Sequence, residues 1–382
     1  MINKNNMVFL IKIFSLILFI ILSSILINNR FIYKKLPFLM ANKPLKLENN
    51  LYFKINIIPQ PKFLKSAHSA SIDNIGNNEL IATWFAGTHE GAPDVEIWQS
   101  FYRNGEWELA RNVISKEIVA NLLNVLVRKV GNSVVYRAKD GILYLFVVYV
   151  SFGGWSGSKI VYFRSFDNGI HWVDPRPIIL SPFFNISNLI RTRAITLKDG
   201  SFYLPIYHEA IFNYPELAYF DKHGNFIAVR KIENSLRLIQ PSLLPITENS
   251  AYIYFRNHTA FDSPLYMQTS YNYGYSWSNL IKTNVENQDS SIATVRLPNH
   301  MLLMIRNVFH RDHLVISMSK DGYNWTDIFN LEKGMIGDEF SYPAINYENG
   351  YINILYTYKR KFIKHVRFNL TWLEQKINRE IK

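Results

Sequence analysis

The chain of 382 residues contains no Cys, so thiolate nucleophiles, disulfides and Cys-type zinc sites are excluded, and its chemistry falls to Tyr, His, Asp, Glu and Arg. Two short runs bring such groups together. His208-Glu209 ends a strand-like run and reads either as a hydrogen-bonded interior pair or as a base with its neighbour. His310-Arg311-Asp312-His313 holds metal-type ligands but lies on a loop without a third clustered ligand, so no metal and no cofactor is expected. The 23 Tyr residues offer phenols, which attack only beside a base because their ordinary pKa is near 10. Arg differs from Lys in holding a carboxylate through two parallel charge-assisted bonds.

The elements that would position such groups are short strands. From residue 51 onward, runs such as Glu79 to Phe85, Ile142 to Val150, Ser201 to Tyr207, Ala251 to Arg256, Leu314 to Ser319 and Tyr351 to Tyr358 are bounded by Asp-Gly, Asn-Gly or similar turns. Only Lys116 to Val130 and the tail from Thr371 read as helix. One turn recurs. Ser165-Phe166-Asp167-Asn168-Gly169-Ile170-His171-Trp172 fits S-x-D-x-G-x-x-W, Ser270 to Trp277 repeats it with Asn272 for Asp, and Ser319 to Trp325 is one residue shorter. The Asp or Asn can bond amides of its own turn, the Gly accepts positive φ, and the Trp covers the hairpin. With the weaker copy at Asp221, the acidic or amide positions 167, 221, 272 and 321 are 54, 51 and 49 residues apart. A period of this size with several strands per unit predicts a β-propeller of four-stranded blades, and about 330 residues accommodate about six.

Charge divides the chain. Residues 1 to 50 carry seven Lys/Arg against one acid and residues 359 to 382 eight against two, while residues 51 to 358 balance at 27 against 27. A nucleic-acid partner is not expected, because phosphate recognition needs a basic face on the folded body. From Met7 to Ile27 the only charged residue is Lys12, and as a helix this stretch spans roughly 31 Å, the thickness of a hydrocarbon core. The expectation is an N-terminal transmembrane helix, and so a single-pass membrane protein with an extracytoplasmic body. A cleaved signal peptide is the alternative, although no small-x-small site follows in Ser24 to Phe31. The domain reading is an anchor at 1–30, a tether at 31–50, the propeller at 51–370 and a basic tail at 371–382.

The recurrent turns resemble the Asp-boxes of sialidases, and the chain around them is similar to the bacterial BNR-repeat sialidase (neuraminidase)-like family. The matching runs are Ala67-His68-Ser69-Ala70-Ser71, Trp84 to Trp98, Gly153 to Ser158, Ser181 to Asn185, Leu204 to Glu209, Gln240-Pro241-Ser242 and Glu339-Phe340-Ser341-Tyr342-Pro343. The resemblance implies an all-β, six-bladed propeller with a site at the end of its channel, acting on sialylated or other acidic glycans. It further implies a Tyr nucleophile with a Glu partner, an Asp acid/base and an arginine cluster for the substrate carboxylate. A phenol avoids the repulsion a carboxylate would meet from a sugar acid, and sialidases are the known Tyr exception among glycosidases.

Carried over to this chain, the resemblance implies Tyr342 as nucleophile and Arg256 and Arg311 as two of the cluster. The first cluster arginine would stand where this chain has His68, with Arg191 or Arg193 as substitutes from another blade. The Glu partner would stand at Gln240, which leaves Glu209 as replacement base. Asp94 and Glu90 share the acid/base loop, with Asp94 favoured by its spacing to the next strand. Trp84, Trp98 and Trp155 could stack on sugars or pack between blades. The departures at His68 and Gln240 keep two alternatives open: a non-catalytic glycan-binding propeller, and a glycosidase or lyase for another acidic sugar.

Overall fold

The structure is a computed structural model that describes residues 4–28, 35–41, 50–181, 185–258 and 264–380. It divides into two units, residues 1–35 and 36–382.

The first unit is the helix Lys4–Asn28. Among the described residues no helix is long and apolar enough to cross a membrane. The expected transmembrane helix is therefore corrected, together with the membrane partner and the single-pass membrane localisation read from it.

The second unit consists of six antiparallel sheets, each of four main strands. Their inner strands are Ser66–Gly76, Lys129–Arg137, the pair Leu189–Ile190 and Ile195–Thr196, Leu238–Pro245, Ala293–Arg296 and Phe340–Glu348. These follow chain order around the ring, and the sixth packs against the first. The last blade is completed by the N-terminal strand Phe53–Ile57, which pairs antiparallel with Phe362–Asn369 and so closes the ring.

The core lies between blades, which explains the aromatic composition. Twisted sheets packed face to face leave wedge-shaped gaps that large rings fill. Between the second and third blades Phe202 stacks on Phe220 with centroids 4.7 Å apart, and Tyr136, Tyr144 and Phe146 pack beside them. A buried ring of this size contributes roughly 2–3 kcal/mol. Trp84 and Trp98 belong to the core between the first and last blades.

The Asp-box turns join third to fourth strands in four successive blades. In the fifth blade Asp321 accepts from the amides of Tyr323 and Asn324, both at 2.8 Å, while Ser319 Oγ accepts from the Gly322 amide at 2.8 Å. Gly322 has φ +84, and a Cβ there would come within 2.4 Å of the Tyr252 ring. The helix expected over 116–130 stops at Leu123, capped at its start by the Ser115 hydroxyl and at its end by left-handed Asn124. Within the expected tether, residues 36–41 are packed against the third blade: Leu36 and Phe38 are buried, and Phe38 bridges to Leu197. The C-terminal segment forms the helix Leu370–Glu380, with Trp372, Leu373 and Ile377 buried.

Candidate active site at the channel mouth

Strand direction decides which residues can meet. Chain direction alternates within an antiparallel blade, so the start of the inner strand and the turn between second and third strands lie at one end, and the Asp-box turns lie at the other. Tyr342, Gln240 and His68 stand at starts of inner strands, Arg256 and Glu209 at ends of second strands, and Glu90, Asp94, Arg311 and Arg360 between second and third strands. All share one end of the channel.

A repeated bulge turns the inner strands there. Pairing skips two residues after His68, Val130, Ile239 and Ser341. The first residue of three of these bulges is left-handed: Ser69 at φ 59, Gln240 at φ 49 and Tyr342 at φ 52. Bulges of this kind re-aim side chains and concentrate at functional rims, and positive φ in a bulky residue is strain the surroundings must hold. Pro241 and Pro343 follow two of them, where the missing N–H removes no ladder bond. In the second blade the bulge begins at Gly131, and a Cβ there would come within 2.4 Å of the Trp155 ring, which lies beside the Lys129 ammonium at 4.2 Å. Of the three Trp candidates only Trp155 stands at this end without being fully buried.

Tyr342 is the centre of the cluster. Guanidinium carbons of Arg191, Arg311 and Arg256 lie 5.4, 5.5 and 6.0 Å from its ring centroid, within cation–π range. The His68 ring meets it edge-on at 4.5 Å. Arg256 donates from Nη1 to the Tyr342 hydroxyl at 3.2 Å and from Nε to Asp289 at 2.7 Å. Burial acts to lower the Arg256 pKa, but Tyr342 and Asp289 raise it above the ordinary value. Arg311 donates to Glu339 at 3.2 Å and to the Asp289 carbonyl at 3.1 Å. Glu339 also accepts from Ser341 Oγ at 2.6 Å and from Arg360 Nε. Against burial, the bonds from Arg360 and Ser341 hold the Glu339 carboxyl down at about 2. Arg360 donates in turn to Glu90 at 2.9 Å, and Glu90 lies 3.9 Å from His68 Nε2. The result is an arc of alternating charge around one phenol.

Arg191 is arranged differently from the other two. Its guanidinium is buried and donates to backbone carbonyls: Ala70 at 3.1 Å, Pro343 at 2.9 Å and Tyr342. It clasps the bulges of the first and last blades together, and burial lowers its pKa to about 10. Arg193 faces Asp73 at 4.0 Å. His68 is buried with neither ring nitrogen bonded, and burial brings its pKa down to about 3, so it is neutral. Gln240 donates to the Tyr207 hydroxyl at 3.3 Å.

The acids separate into two groups. Burial raises the Glu209 carboxyl, and the charges that act on it are those of Arg256, His258 and Asp289. Asp94 is exposed and accepts from the Thr88 amide at 2.9 Å and from its hydroxyl, and these bonds lower its pKa. His208 pairs with Glu216 at 3.0 Å in the interior of its blade. Asp289, Glu339 and Arg360 are the members of the arc that the sequence reading did not single out. Glu339 stands three residues before Tyr342 in a matching run, whereas Arg360 is one of the basic residues of the C-terminal end. Of the matching run 181–185, residues 182–184 lie outside the described residues.

The model of the BNR repeat-like domain family matches residues 78–354. The chain belongs to this family. Among solved structures the BNR repeat-like chain is similar to the Hadza microbial sialidase Hz136, with TM-score 0.67 and 16% identity over 80% of this chain and 66% of that one. It is also similar to a Dyadobacter fermentans protein of unknown function, with TM-score 0.65 and 14% identity over 83% of this chain and 99% of that one. A third is Trypanosoma rangeli sialidase, with TM-score 0.61 and 17% identity over 89% of this chain and 60% of that enzyme. The chain thus spans about two thirds or less of the length of the two sialidases, and at these identities the likeness establishes the fold. No curated protein matches it significantly in sequence.

Proposed function

We propose that the chain is a glycoside hydrolase of sialidase type that removes terminal sialic acid or a related acidic sugar. The observation that carries this reading is Tyr342: a left-handed bulge residue whose ring faces three guanidinium groups and whose hydroxyl accepts from Arg256. A phenol so surrounded suits attack on the anomeric carbon of an anionic sugar, because charge developing on its oxygen meets a donor already in place. Arg256 and Arg311 would hold the sugar carboxylate. Glu209, its carboxyl raised by burial, is shifted in the direction that acid/base work requires. Trp155 would wall the sugar ring. The likeness to Trypanosoma rangeli sialidase, which has been seen with sialic acid bound, supports the substrate class.

A second reading, a glycan-binding propeller without turnover, is favoured by Asp94. Its carboxylate is tied to Thr88 and its proton affinity is lowered, the opposite of what a general acid requires. The two readings separate when the full-length chain is given a fluorogenic α-sialoside. The hydrolase reading expects fluorophore release that falls at least about 100-fold in Tyr342→Phe. Glycan binding without release by the wild type would favour the second.

A further inference from the structure

We propose that Arg360 is the third anion-binding arginine of this mouth, taking with Arg256 and Arg311 the carboxylate of a sugar acid, and that Glu90 holds that place when no ligand is bound. The inference rests on the acidic-sugar reading and names the residue that completes it.

Three observations lead to Arg360. First, the two residues that would otherwise complete the cluster cannot do so: His68 is buried and neutral, and Arg191 is committed to backbone carbonyls of two bulges. Second, Arg360 and Arg311 donate to opposite oxygens of the single Glu339 carboxylate, so the two guanidiniums stand about one carboxylate apart. Left-handed Lys359 and Arg360, at φ 53 and 55, turn the strand connection of the last blade so that Arg360 reaches this position. Third, the Glu90 carboxylate already lies against the Arg360 guanidinium at 2.9 Å, beside the unbonded ring nitrogens of His68. A carboxylate held by this guanidinium is the arrangement a ligand carboxylate would take.

Glu90 is suited to leave. It sits one residue before Gly91, which has φ +79, in a loop between two strands. Its ion pair with Arg360 is partly exposed, with side-chain exposures of 44% for Arg360 and 34% for Glu90, and such pairs are weakly held. A ligand carboxylate engaging a planar guanidinium with two parallel bonds competes well against a single Nη1 contact.

The test uses the full-length chain and calorimetric titration with free N-acetylneuraminic acid, its uncharged methyl ester and glucuronic acid. The wild type should bind a free acid in preference to the ester. Arg360→Ala should weaken binding of that acid by roughly tenfold or more and leave the ester unchanged. Glu90→Gln should tighten acid binding several-fold, since its competitor is gone. If Arg360→Ala melts below the wild type, Arg360→Lys, which keeps the charge but loses the fork, should still bind acid more weakly than the wild type. A folded Arg360 variant with wild-type acid affinity overturns the assignment of Arg360 while the acidic-sugar reading stands. Unchanged affinity in Glu90→Gln overturns the placeholder role of Glu90. A wild type that binds neither acid overturns the acidic-sugar reading and this inference with it.

Discussion

Replacing Arg191 by Met tests whether the clasp between the first and last blades is structural. The guanidinium donates to Ala70 at 3.1 Å, to Pro343 at 2.9 Å and to the Tyr342 carbonyl, and a Met side chain can make none of these bonds. Hydrogen bonds to a charged donor contribute roughly 1.5–3 kcal/mol each. Against this, Met avoids the cost of burying a cation, which is several kcal/mol. Three such bonds lost, set against that relief, leave a net loss of about 3–5 kcal/mol. With an unfolding entropy of roughly 2.1 cal/mol/K per residue over a unit of about 350 residues, each kcal/mol shifts the midpoint by about 1.4 °C, so the melting temperature should fall by about 4–7 °C. Because the clasp holds the bulge that aims Tyr342, turnover should fall through kcat with KM little changed. Thermal melting of the full-length chain and sialoside kinetics read both effects. An unchanged melting temperature with a raised KM would refute the clasp and make Arg191 a ligand-contacting arginine.

Other outcomes follow from buried titratable groups and from the turns. His365 is buried, accepts from Trp107 at 2.9 Å and is lowered to about 3 by burial, so below its ordinary pKa of 6.5 only the unfolded chain takes up the proton. Stability should therefore fall as pH drops from 6.5 towards 3, and His365→Gln should make the slope in chemical denaturation shallower over that window. Glu339 is depressed to about 2 from 4.5, so its contribution is present above pH 4.5 and lost as pH falls through 2. The stability difference between wild type and Glu339→Gln should narrow over that range, and a constant difference would contradict the pairing with Arg311 and Arg360. Gly322→Ala places a methyl group within 2.4 Å of Tyr252 at φ +84 and should destabilise by about 2–4 kcal/mol in urea denaturation.

What the sequence revealed tracks how local each interaction is. The Asp-box is satisfied inside eight residues, by Ser165 Oγ on the Gly169 amide and Asp167 on the His171 amide, so its chemistry and its period predict blades directly. The bulges were visible only as motifs, His68-Ser69-Ala70, Gln240-Pro241 and Tyr342-Pro343; their left-handed backbone depends on the neighbouring strand. The arc around Tyr342 draws Arg360 to Glu90 across 270 residues of chain, and a cation in a basic run carries no sign of such a partner. Arg191 shows the converse, because its residue type suits a carboxylate ligand while its position delivers it to main-chain carbonyls. Leu36 and Phe38 are too short an apolar pattern to predict a docked segment, yet both are buried.

The most direct test of the account is covalent. Incubation of the full-length chain with a 2,3-difluoro sialic acid slows the second step of a Tyr-nucleophile mechanism and accumulates the glycosyl-enzyme. Intact-mass analysis followed by peptide mapping should find one sugar per chain, attached at Tyr342 and absent from Tyr342→Phe. Steady sialoside hydrolysis with no adduct, or an adduct on any other residue, would contradict the assignment of Tyr342 as the attacking group.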